Sequence, residues 1–131
     1  VLTYNIALKN YIHDKISDVR ESFLWSSFLI TNYHEFIKSM MNNLGIPFSI
    51  PHDFDAWTSK ERSDYFESNY FSNLNLFALY EDQITVKFDA VMADEVQDYK
   101  REWLEMIRKY FFNQDEGEFV VFGDEKQDIY N

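Results

Sequence analysis

Two short apolar runs, each stopping abruptly at acids, constrain this chain more than any other feature. The first is Phe88-Asp89-Ala90-Val91-Met92-Ala93, which runs into Asp94-Glu95-Val96-Gln97-Asp98. The second is Phe119-Val120-Val121-Phe122, which passes through Gly123 into Asp124-Glu125-Lys126-Gln127. Runs this short, bounded by charge, read as strands buried on both faces. Between them, Tyr99 to Phe112 has helical spacing. Tyr99, Trp103, Met106, Ile107 and Tyr110 share one face, and Lys100, Arg101, Glu105 and Arg108 face water. Strand, helix, strand implies parallel pairing through a crossover. Ligands bind at the carboxyl ends of parallel strands, and both acidic clusters emerge there. Paired carboxylates suit a hydrated Mg²⁺, which takes one or two of them and leaves the rest to water and phosphate. The second acid of each pair is placed to orient an attacking water.

The rest of the chain reads as further α/β units. Val1 to Tyr4 is a strand end, and Asn5 caps a helix carrying Ile6, Tyr11, Ile12, Ile16 and Val19. Ser27 to Thr31 is the next strand. Asn32 caps the helix after it, with Glu35 completing a capping-box variant. Phe36, Ile37, Met40, Met41 and Leu44 form that helix's buried stripe, and Gly45 suits its left-handed end. Pro47 and Pro51 bracket an irregular connection. Thr58 with Glu61 opens another helical stretch that extends to Leu79 as one long helix or two short ones. Asp98 is an N-cap for the Tyr99 helix, and residues 113–117 turn the chain back into the last strand. No repeat or linker divides the sequence, so residues 1–131 are expected to form one domain.

Charge and composition narrow the function. The chain has 23 acidic against 12 basic residues, a net charge of −11. Phosphate neutralisation supplies most nucleic-acid affinity, so this chain by itself is a poor nucleic-acid binder. It has no cysteine, which removes thiolate catalysis, disulfides and Cys-based zinc sites. No apolar run reaches membrane-spanning length. These features fit a cytoplasmic protein with no membrane contact. His13 and His52 lack ligand spacing, and Trp25, Trp57 and Trp103 read as core.

Asp94-Glu95-Val96-Gln97-Asp98 resembles the Walker B box (motif II) of superfamily 1 helicases of the UvrD/Rep/PcrA kind. Gly123-Asp124-Glu125-Lys126-Gln127-Asp128-Ile129-Tyr130 resembles their motif III. Leu2-Thr3-Tyr4-Asn5 followed by Leu8 is similar to motif Ia, and Thr31-Asn32-Tyr33-His34 to motif Ib. The resemblance implies an α/β fold of three layers, a mainly parallel sheet with flanking helices, as a partial RecA-like P-loop NTPase domain. Residues 46–80 then stand as a short insertion between motifs Ib and II, where the family carries a whole subdomain.

The same resemblance implies roles. Asp94 would hold Mg²⁺, and Glu95 would activate the water that attacks the γ-phosphate of ATP. Gln127 would contact that phosphate and couple it to DNA, with Asp124 beside it. Gln97 is either a hydrogen-bonding partner in the nucleotide site or an ordinary polar loop residue. Tyr4, Asn5, Tyr33, His34 and Tyr130 match positions near single-stranded DNA, where aromatic stacking tolerates any base. His34 also reads as a structural residue at a capped helix start.

The chain lacks any Gly-x-x-x-x-Gly-Lys-Ser/Thr loop, whose backbone N–H groups and lysine hold phosphates. The resemblance thus implies an internal piece of an ATP-dependent DNA helicase or translocase, spanning motifs Ia to III. Mg²⁺ and ATP would bind in the parent protein and not in this piece, which would be inactive alone. The P-loop strand and second RecA-like domain would be its partners. Without that strand, residues 119–122 should present an apolar edge open to self-association. The alternatives are an interaction module without a P-loop, or a metal-dependent phosphohydrolase or nuclease using Asp94, Glu95, Asp124 and Glu125.

Overall fold

The computed structural model describes residues 1–3, 14, 29–85, 87–94 and 98–122. Among these, four short strands form one parallel sheet. They are β1 (Leu2–Thr3), β2 (Thr31–Asn32), β3 (Ala90–Ala93) and β4 (Glu118–Val121), in the spatial order β2-β1-β3-β4. Three α-helices accompany them: α1 (Tyr33–Leu44), α2 (Ser59–Phe66) and α3 (Arg101–Tyr110). The pairing of β3 with β4 runs from Ala90 opposite Glu118 to Ala93 opposite Val121. It continues past the strand ends, where Glu118 N–H and Phe122 N–H donate to the carbonyls of Asp89 and Ala93, both at 2.8 Å.

Local chemistry sets the helix boundaries. Asn32 is extended and its Oδ1 accepts the Glu35 N–H at 2.9 Å, which satisfies a donor at the start of α1. At the other end Gly45 has φ 72°, the left-handed conformation that glycine adopts without Cβ strain. Thr58 and Glu61 exchange side-chain and backbone hydrogen bonds at 3.1 and 3.0 Å and open α2. Beyond Phe66 the helix widens into a π turn at Glu67–Phe71. There the Asn69 and Asn73 amides donate to the carbonyls of Tyr65 and Asn69 at 2.9 and 3.0 Å. Side chains that compete for backbone carbonyls in this way weaken a helix. The stretch from Thr58 to Leu79 is therefore one short helix, a π turn and, at Ala78–Gln83, a 3₁₀ turn.

Other expectations are corrected. Asp98 is exposed and does not cap α3, whose N-cap position is Lys100 with no side-chain cap. Tyr99 is buried ahead of the helix, which sets the first turn at Arg101. The apolar runs are also not buried on both faces. Register partners in a parallel pair share a face, so Val91 and Ala93 lie with Phe119 and Val121, and Met92 lies with Val120. Val91 and Ala93 enter the core, yet Met92 is 42 % exposed and Val120 38 %. The strand end at Tyr4, the helix after Asn5, the strand start at Ser27 and Trp25 lie outside the described residues.

The core is largely aromatic. Ile37, Leu104, Met106 and Tyr110 are fully buried. Phe111 takes the rings of Phe36 and Phe77 edge-on at 5.2 and 5.0 Å. Such T-shaped pairs align ring edges with ring faces and add to the area buried. The Tyr110 hydroxyl donates to the Leu74 carbonyl at 2.7 Å, so this ring is buried without an orphaned polar atom.

The turn into β4 is held by Asn113. Its Nδ2 donates to Asp89 Oδ1 at 2.9 Å, its Oδ1 accepts the Asp115 N–H at 3.2 Å, and its carbonyl accepts the Gly117 N–H at 2.9 Å. A Cβ on Gly117 would run into that carbonyl oxygen and the Phe112 ring. Gly117→Ala is expected to cost about 1–3 kcal/mol, because backbone must move to admit the methyl. Chemical denaturation of the variant beside wild type measures it, and an unchanged midpoint would contradict the tight turn.

Candidate functional site

The parallel strands place all their carboxyl ends along one edge of the sheet, the edge that suits ligands in α/β folds. Asn32 ends β2 there with Tyr33 and His34 after it, Asp94 follows β3, and Phe122 follows β4. Asp94 is half-buried, and its N–H donates to the Leu2 carbonyl at 3.0 Å, which fixes its backbone between β1 and β3. Tyr4, Asn5, Glu95, Gln97, Asp124, Gln127 and Tyr130 lie outside the described residues. Of the expected site residues, the described ones are thus Asp94, Tyr33 and His34.

Tyr33 takes a different part from the one its motif implies. It is 1 % exposed and stacks on Trp103 with centroids 4.8 Å apart and planes 11° from parallel. Its hydroxyl donates to the Phe71 carbonyl at 2.7 Å. Burial, then the charges of Glu67 and Glu102, push its pKa up, so the hydroxyl stays protonated. A ring already stacked and buried offers no face to a nucleic-acid base. The Tyr33 ring belongs to the core.

His34 is half-buried beside it. Phe71 and Trp103 contact its ring edge-on at 4.4 and 4.8 Å. Burial pushes the imidazole pKa down, and the Glu67 carboxylate partly opposes this. Glu67 joins the insertion to α3. It accepts Trp103 Nε1–H at 2.8 Å and the Ser72 hydroxyl, and Lys100 Nζ lies 3.9 Å away. No sequence pattern announces Glu67, since Trp103 is 36 residues downstream.

A concave region lies in the insertion. Trp57, Glu61, Asp64, Tyr65, Ser68 and Asn69 line an open groove of about 560 Å³. The sequence did carry a signal for it. Positions 61, 64, 65, 68 and 69 have the i, i+3, i+4, i+7, i+8 spacing of a single helix face. Trp57, expected in the core, is only half-buried.

Among the described residues, no group of three or more His, Asp or Glu side chains converges as a metal site. Asp94 supplies one carboxylate, which is a donor set fit for Mg²⁺ only where phosphate and water complete the shell. Among the described residues, no helix is long and apolar enough to cross a membrane. No protein-family model, curated protein or solved structure matches the chain.

Proposed function

We propose that the chain is part of the first RecA-like domain of a cytoplasmic superfamily 1 ATP-dependent DNA helicase or translocase. It would contribute Walker B through Asp94 and Glu95, and motif III through Asp124 and Gln127. One observation carries the reading: β3 and β4 are adjacent and parallel, so the chain leaves both at the same sheet edge with its acidic clusters next in sequence. Neighbouring strand ends are what one bound nucleotide would require. ATP, Mg²⁺ and single-stranded DNA belong to the parent protein, because this chain lacks a P-loop and carries net negative charge. The test compares ATP hydrolysis by the parent and by this chain, with and without single-stranded DNA. Activity in the parent alone, stimulated by DNA, supports the reading; a parent without ATPase activity overturns it.

An interaction module without a P-loop is the second reading, and the outer strand favours it. β4 is the last strand of the described sheet, with Val120 and Val121 38 % and Phe122 49 % exposed. An apolar edge strand is a template for a further strand. The isolated chain is expected to self-associate as concentration rises, and Val120→Lys to shift it toward monomer. Sedimentation velocity reads both, and a wild-type chain that stays monomeric at high concentration removes edge pairing.

A further inference from the structure

We infer that the groove beside α2 binds a single cationic side chain, most favourably the guanidinium of an arginine in a partner peptide. Four of its lining residues suit such a group. The Trp57 and Tyr65 rings stand nearly perpendicular, 78° between planes and 5.6 Å between centroids, and form two walls of a corner. Glu61 and Asp64 supply carboxylates on the same helix face, one turn apart. An aromatic face attracts a cation through its quadrupole, and a planar guanidinium can stack on it while its N–H groups reach a carboxylate.

The carboxylates are held without being used up. Glu61 Oε2 accepts the Thr58 N–H, which fixes the side chain at the helix start. Asp64 Oδ2 pairs with Lys60 Nζ at 2.8 Å, but both side chains are largely exposed, at 64 and 85 %. A pair that open to water is worth little, so an entering cation can exchange with Lys60 at small cost. Tyr65 is fixed by its hydroxyl, which donates to the Ser49 carbonyl at 2.9 Å. The corner is therefore in place before any ligand arrives, which lowers the ordering cost of binding.

The same aromatic cluster already holds one arginine. The Arg62 guanidinium carbon lies 5.5 Å from the Phe54 ring centroid, and Phe54 packs on Trp57 at 5.6 Å. Arg62 meets backbone carbonyls there, at Phe54 and Asp55. The groove is lined by carboxylates instead, a stronger partner for the same group. A net charge of −11 also favours the approach of a cationic partner and opposes a nucleic acid.

The experiment titrates the ¹⁵N-labelled chain with blocked Gly-Arg-Gly, Gly-Lys-Gly and Gly-Glu-Gly peptides and follows amide and indole signals. The arginine peptide should shift the Trp57 indole and the amides of Glu61, Asp64 and Tyr65, the lysine peptide should bind more weakly, and the glutamate peptide should do nothing. Trp57→Ala should weaken arginine binding about tenfold or more, the scale of a lost desolvated cation–π contact. Because Trp57→Ala removes packing, Glu61→Gln is the second variant. Glutamine keeps the capping bond but drops the charge, so binding should weaken while the thermal midpoint holds. Equal shifts across the acidic surface, or binding unchanged in Glu61→Gln and Trp57→Ala, would overturn the proposal.

Discussion

Trp103→Ala is expected to lower stability by about 3–5 kcal/mol, a large part of what holds a domain of this size together. The indole is 5 % exposed, stacked on Tyr33 at 4.8 Å and met edge-on by His34 and Tyr99 at 4.8 and 5.5 Å. Truncation leaves a cavity where α1 meets α3 and strips the Tyr33 ring of its partner. It also takes a charge-assisted donor from Glu67, whose carboxylate is only 18 % exposed. Trp103→Phe is the milder variant. It keeps an aromatic ring against Tyr33 and loses the N–H together with one ring of the indole, so a loss of about 1.5–3 kcal/mol is expected. Urea denaturation gives both values. If Trp103→Phe were neutral, the bond to Glu67 would have no part in joining the insertion to the helix.

The second large effect concerns turnover. If the proposed motor reading holds, Glu95→Gln in the parent protein is expected to lower ATP hydrolysis about 10²–10⁴-fold, the range of a lost general base. Glutamine is nearly isosteric, so ATP affinity should change little and the loss should fall on kcat. Asp94→Ala should behave differently. On the proposed reading Asp94 holds Mg²⁺, so its loss should weaken the metal and part of the defect should recover at high Mg²⁺. Steady-state ATPase assays over a range of Mg²⁺ concentrations distinguish the two. Equal defects in both variants, unaffected by Mg²⁺, would contradict separate roles for the two acids. This prediction tests the motor reading and is independent of the groove beside α2.

Much of the fold was legible where a local interaction decides the structure. The Asn32 and Thr58 caps and the Gly45 terminus follow from contacts within a few residues, and the apolar stripe of α1 follows from helical spacing, with Phe36, Ile37 and Met41 buried and Met40 and Leu44 partly so. Parallel pairing of β3 and β4 followed from the intervening helix, because two parallel strands cannot be joined by a tight turn. The errors lie where distant residues compete. Asp98 has the chemistry of a cap, but burial of Tyr99 moves the helix start past it. Tyr33 has the look of a surface aromatic beside a strand end, but Trp103 claims its ring.

By itself, then, the sequence determined the strand–helix–strand order from β3 to β4, the caps at Asn32 and Thr58, the acidic character and the absence of a phosphate loop. Those depend on residue type and near neighbours, which the sequence states outright. Only the tertiary structure decided which faces are covered. It left Met92, Val120 and Val121 exposed, set Glu67 beneath Trp103, and opened the corner between Trp57 and Tyr65. Burial belongs to pairs of surfaces: a Val-rich run is as fit for the middle of a sheet as for its rim, and only the neighbours that arrive in space settle which it becomes.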